Sequence, residues 1–123
     1  MLDDSALSRG FAVTSTALPL LSSFRYLASR ADETARRLVD PLVQAFLEED
    51  RERGGVLTET IRAFADADLN LRAAADRLHV HPNTAQYRLR RIRDRTGRNP
   101  RRIADLIDLL VAIAMDDTNE VVG

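Results

Sequence analysis

From residue 35 onward, apolar residues recur at spacings of three and four, the period of an amphipathic helix. No stretch after residue 56 alternates as a half-buried strand would. Ala35, Leu38 and Val39 follow Asp32, a good N-cap type, and Asp40-Pro41 then supplies a second cap and first turn, so a break is predicted there. Leu42, Val43, Phe46 and Leu47 carry the stripe onward. The charge run Glu48 to Arg53 and the pair Gly54-Gly55 are expected to end it, and the pair is the expected domain boundary. Val56, Leu57, Ile61 and Phe64 predict a helix over 56–67, closed by Asp66-Ala67-Asp68. Upstream, Pro19 opens a predicted helix to about Arg30, with Leu20, Phe24 and Leu27 on one side and Leu21 and Ala28 beside them. Residues 1–16 show no clear period. The expected fold is all-α, a bundle of five to six helices. It comprises an N-terminal helical extension over 1–55, a second unit over 56–116 and a flexible tail over 117–123.

The segment NLRAAADRLHVHPNTAQYRLRRIRDRTG is the informative one. Asn70 is a strong N-cap for a short helix with Leu71, Ala74, Ala75 and Leu78 facing inward, and the run Ala73 to Ala75 lets another helix cross close by. Leu78-His79-Val80-His81 makes a turn in which Val80 is expected to plug into the core. Pro82 suits the first turn of a longer helix, with His81 as an imperfect cap. Short helix, tight turn, longer helix: the pattern is a helix-turn-helix over about 70 to 97. At 100° per residue from Ala85, Leu89, Ile92 and Thr96 fall within about 40° and form the buried stripe. Asn83, Tyr87, Arg90 and Asp94 fall opposite, with Thr84, Gln86 and Arg91 flanking them.

Composition changes what that helix means. The chain has 123 residues, 45% apolar and 30% charged, with no Cys and a net charge of -1. One ordinary soluble domain fits, and a disulfide framework, a zinc finger and a thiol nucleophile are all excluded. The acidic start makes no signal peptide, the uncharged run from Phe11 to Phe24 is too short for a bilayer, and a cytoplasmic location without membrane contact is expected. Near-neutrality hides a separation: every cation is Arg, and residues 72–102 hold ten of them against two acids, a balance of +8, leaving -9 elsewhere. A solvated helix face mixes both signs; a nearly acid-free segment is an electrostatic footprint for a polyanion. Six aromatic residues and no Trp disfavour stacking on single strands or RNA. His79 and His81, at i and i+2, share no helical face and lack a completing ligand, so no metal is expected. No glycine-rich phosphate loop or nucleophile–base pair is present, so neither an enzyme nor a cofactor site is expected.

Arg can bond two acceptors on guanine, Asn or Gln two groups on adenine, and hydroxyls can hold phosphates. Arg88, Arg93, Arg95 and Arg98, further round or along the helix, and Arg72 ahead of it, are expected on backbone phosphates.

With those residues in place, NLRAAADRLHVHPNTAQYRLRRIRDRTGRNP resembles the C-terminal DNA-binding domain of PucR-type bacterial transcriptional regulators, a group that includes sugar-diacid regulators. Leu78, His79, Val80, His81, Asn83, Thr84, Tyr87, Arg88, Leu89 and Ile92 match the family pattern, and Leu57, Glu59, Thr60, Ile61 and Phe64 echo its upstream stretch. It also resembles the helix-turn-helix of the nucleoid protein Fis. The resemblance implies that His81, Asn83, Thr84, Gln86, Tyr87, Arg90 and Arg91 contact double-stranded DNA. Ala85 stands where the family usually has a larger aliphatic residue, which is expected to loosen packing, and Gln86 where it often has Arg, which is expected to alter base preference. PucR-type regulators usually carry a long sensory region ahead of this domain; here a helical stub is expected, serving dimerisation or left over from such a region, and no effector site is evident.

Asn99-Pro100 is expected to start a last helix with a wide apolar set. Ile103, Leu106, Ile107, Leu110 and Ala114 make one face, Leu109, Val111 and Ile113 broaden it, and Asp105, Asp108 and Ala112 lie opposite. Such a stripe suits a central core helix or a subunit contact; a homodimer would set half-sites roughly 34 to 36 Å apart. The competing reading is a helical protein-interaction module, a co-regulator whose αα corner reads no DNA.

Overall fold

The computed structural model describes Tyr26, Arg30 and residues 39–122, the last five by backbone alone. The helix expected from Pro19 to Arg30 and the Asp32 cap lie outside the described residues, except Tyr26 and Arg30, whose hydroxyl and guanidinium stand 3.1 Å apart. Five helices follow: α1 (Pro41–Glu52), α2 (Val56–Asp66), α3 (Leu71–Leu78), α4 (Pro82–Thr96) and α5 (Ile103–Val122). There is no strand among the described residues, so the fold is all-α as expected.

Local chemistry starts three of these helices. The Asp40 carboxylate accepts from the Leu42 N–H at 2.8 Å with Pro41 in the first turn, and the Asn70 side chain accepts from the Ala73 N–H at 2.9 Å. His81 Nδ1 accepts from the Asn83 N–H at 3.0 Å, so the imidazole completes the cap. Helix α2 has no cap of its own, because Gly55 precedes it in a left-handed turn (φ 73°). Its donors are met from α1: the Asp50 carboxylate accepts from the Leu57 N–H at 3.0 Å and the Thr58 N–H at 2.8 Å. The Asp50 carbonyl also accepts from the Gly55 N–H at 2.8 Å. Helix α1 stops at Glu52, within the charge run and just before the glycine pair; its Asp50, inside that run, is 4% exposed and belongs to the buried side.

Val43, Phe46 and Leu47 of α1, Ile61 and Phe64 of α2, Ala74 of α3, Leu89 and Ile92 of α4, and Leu106, Leu109, Leu110 and Ile113 of α5 form one apolar cluster. Helix α2 is its hub, packing on all four others. The core draws on residues from both sides of the Gly54-Gly55 pair, which itself lies at the surface.

Two parts of the chain differ from the sequence expectation. Asn99-Pro100 does not start α5: Asn99 forms a turn, accepting from the Arg101 N–H at its side chain (3.0 Å) and from the Arg102 N–H at its carbonyl (2.9 Å), with Pro100 fully buried. Helix α5 is also rotated by about 70° from the predicted orientation. Ile103 and Ile107 are exposed, at 60% and 43%, whereas Ala112, placed outside by the pattern, is buried with Leu109 and Ile113. A helix that is apolar over most of its circumference does not announce its inner face. The helix is described to Val122, and Arg51 with Asp116 and Arg62 with Asp117 (2.5 Å) tie it to α1 and α2. Val80, expected in the core, is only half-buried and lies outside the apolar cluster, where Leu78 packs instead.

Candidate nucleic-acid interface

Helices α3 and α4 meet at a corner built by two histidines. His79 closes α3 in the left-handed conformation (φ 58°), its N–H donating to the Ala75 and Asp76 carbonyls, and His81 opens α4. A ring that accepts at Nδ1 carries its proton on Nε2, so exposed His81 keeps one donor for an outside acceptor.

On α4, Ala85, Leu89, Ile92 and Thr96 are buried, the stripe that the angular spacing predicts. Ala74, Ala75 and Ala85 have essentially no exposed surface. The small residue at 85 is therefore fully buried on the inner face of α4. The fully buried Thr96 hydroxyl donates to the Ile92 carbonyl at 2.7 Å and accepts from the Arg98 N–H at 3.0 Å, fixing the exit through Gly97 (φ 73°). A rigid inner face holds the outer face in register.

That outer face presents Asn83, Thr84, Gln86, Tyr87 and Arg90, all exposed. Arg91 is half-buried, its guanidinium 5.9 Å from the centroid of the Tyr87 ring, a cation–π distance that orients both groups. Arg72, on the first turn of α3, is exposed, and Arg88 is half-buried; neither has an ion-pair partner among the described residues. Thus nine of the twelve sequence-derived residues (Arg72, His81, Asn83, Thr84, Gln86, Tyr87, Arg88, Arg90 and Arg91) lie on α3, α4 or their corner without an acid partner among the described residues, and Arg93, exposed on α4, stands 3.7 Å from Asp94.

The other two are engaged inside the protein. Arg95 pairs with Glu49 of α1. Arg98 bridges Asp108 of α5 at 2.6 Å and Asp40 at 3.4 Å, clamping both ends of the fold to the α4 exit. Arg98→Ala is expected to lower stability by about 1 kcal/mol, a surface-pair magnitude because the side chain keeps 31% exposure; a thermal melt against wild type checks this, and an unchanged midpoint would show the clamp to be idle. Arg101, which the sequence did not single out, is exposed beside α4, held there by the Asn99 turn. Its placement depends on how that turn folds back, and no local pattern encodes it.

The family model of the PucR C-terminal helix-turn-helix domain matches residues 57–115. An uncharacterized protein of Mycobacterium tuberculosis is 43% identical over 68 residues, 55% of this chain and 16% of that protein. The carbohydrate diacid regulator of Escherichia coli is 31% identical over 88 residues, 72% of this chain and 22% of that protein. The DNA-binding transcriptional activator AdeR of Bacillus subtilis is 42% identical over 43 residues, 35% of this chain and 10% of that protein. The chain therefore spans less than a quarter of the length of each of these relatives. No solved structure matches it. The match encloses the two histidine caps, the buried stripe of α4 and its polar outer face, and the chain carries a PucR C-terminal helix-turn-helix domain over residues 57–115.

Proposed function

We propose that this chain is a sequence-specific regulator of transcription that binds double-stranded DNA by laying α4 in the major groove. One observation carries the reading: α4 turns a hydrogen-bonding and cationic face to solvent while its opposite face is locked in the core. A groove about 12 Å wide admits one helix, and Asn83, Gln86 and Arg90 are the residue types that discriminate base edges there. The +8 balance over 72–102 supplies the sequence-independent attraction, and the acidic remainder turns the other faces away from phosphate. The family match and the regulatory titles of two relatives support the same reading.

A titration on duplex DNA at several salt concentrations tests it. Neutralising ~5 phosphates gives a log–log slope near -4.5; affinity independent of salt would remove the proposal. Asn83→Ala and Arg90→Ala are each expected to weaken a preferred site by about 1 to 3 kcal/mol and to relax discrimination between sequences. Equal losses on every sequence would take base reading away from these two positions.

We also propose that the regulator acts as a homodimer, with exposed Ile103 and Ile107 of α5 in the contact. The same pair is what favours the rival co-regulator reading. Sedimentation with and without a two-half-site duplex separates the two: a dimer that forms and never engages duplex supports the rival.

A further inference from the structure

We propose that the cleft between α4 and the turn that follows it is a clasp for one backbone phosphodiester of the DNA, closed by Arg93 and Arg101. The proposal rests on the duplex-binding reading above and adds to it a contact on the edge of the reading face. The cleft has a volume of about 150 Å³ and is lined by Gln86, Leu89, Arg90, Arg93, Asn99 and Arg101. Three arginines line it, and no carboxylate is among its lining residues.

Several arginines elsewhere in this protein meet acids: Arg51 with Asp116, Arg62 with Asp117, Arg95 with Glu49, and Arg98 with Asp40 and Asp108. In the cleft the only ion-pair neighbour among the described residues is Asp94, 3.7 Å from Arg93 Nε and beyond hydrogen-bond length. Placing like charges round one cleft is unfavourable unless an anion completes the set.

The turn that presents Arg101 is rigid without any ligand. Asn99 Oδ1 accepts the Arg101 N–H, the Asn99 N–H donates to the Asp105 carboxylate at 2.9 Å, and Pro100 is fully buried beneath. Arg101 is thereby tethered at its backbone, and its planar fork suits two oxygens of one phosphate. Location agrees with chemistry. Gln86 and Arg93 lie about 90° round α4 from its buried stripe, hence at the margin of the reading face, and the margin of a helix seated in the groove meets the phosphate wall.

The experiment compares wild type with the double variant Arg93→Gln, Arg101→Gln on one preferred and one scrambled duplex, over a roughly fourfold range of salt. Both side chains are exposed, and circular dichroism checks that the variant is folded. The expected result is a log–log slope shallower by about 1.8, about 0.9 for each released counterion, with equal losses on the two duplexes. An unchanged slope in a variant of wild-type fold overturns the clasp while leaving duplex binding intact. A loss confined to the preferred duplex also overturns it, because that is the mark of base contacts. Free inorganic phosphate offers the same oxygens; calorimetry showing that it binds wild type and not the variant, with duplex affinity unaltered, assigns the cleft to a small anion and overturns the clasp. Wild type that binds no duplex at all removes both this inference and the reading beneath it.

Discussion

Replacing Asp50 with Ala is expected to destabilise the domain by about 3 kcal/mol, which is large against the marginal stability of a chain this size. The carboxylate is 4% exposed and accepts from the N–H groups of Leu57 and Thr58. Removing it leaves two donors at the start of α2 without partners in a place water reaches poorly, each costing about 1 to 3 kcal/mol. The charge also faces the positive end of the α2 dipole, and that stabilisation goes with it. Because α2 packs on all four other helices, loss at its first turn is felt by the whole core. Asp50→Asn retains one acceptor oxygen and should lose less. Urea denaturation of the three proteins checks the order; an Ala variant within about 0.5 kcal/mol of wild type would mean that the first turn of α2 is satisfied some other way.

Reversing two charges on α4, Arg90→Glu with Arg91→Glu, is expected to lower affinity for duplex DNA by about a thousandfold. Two lost contacts at ~2 kcal/mol each give that factor, before repulsion from the new carboxylates is added. Arg90 is exposed, and half-buried Arg91 contributes a cation–π contact to Tyr87 worth about 0.5 to 1 kcal/mol. The fold should therefore survive while binding fails. Parallel melting and binding curves separate the two effects. Retention of the double variant on immobilised genomic DNA, at the salt that retains wild type, would favour the interaction-module reading over the one proposed.

The two expectations differ in how they could be found. The stripe of α4 and the cap at Asn70 depend on residues within a few positions of one another, and they were legible as written. Asp50 was half legible. It falls at the i+7 position of the stripe begun by Val43, Phe46 and Leu47, and an acid on an apolar stripe signals a buried partner, but the charges on either side of it mask that signal. The fates of Arg95 and Arg98 were not legible, since Glu49, Asp40 and Asp108 come from other helices.

The sequence alone determined the all-α class, the helix-turn-helix, the inner face of α4 and the concentration of positive charge around it. Each follows from a short-range period, a cap or a sum of charges, none of which needs to know where the rest of the chain goes. The tertiary structure decided which face of α5 is inside, which arginines are spent on acids within the fold and which line the cleft beside α4. Those outcomes turn on which surfaces meet: a nearly all-apolar helix can bury any side, and a guanidinium pairs with whichever carboxylate the packing brings within reach.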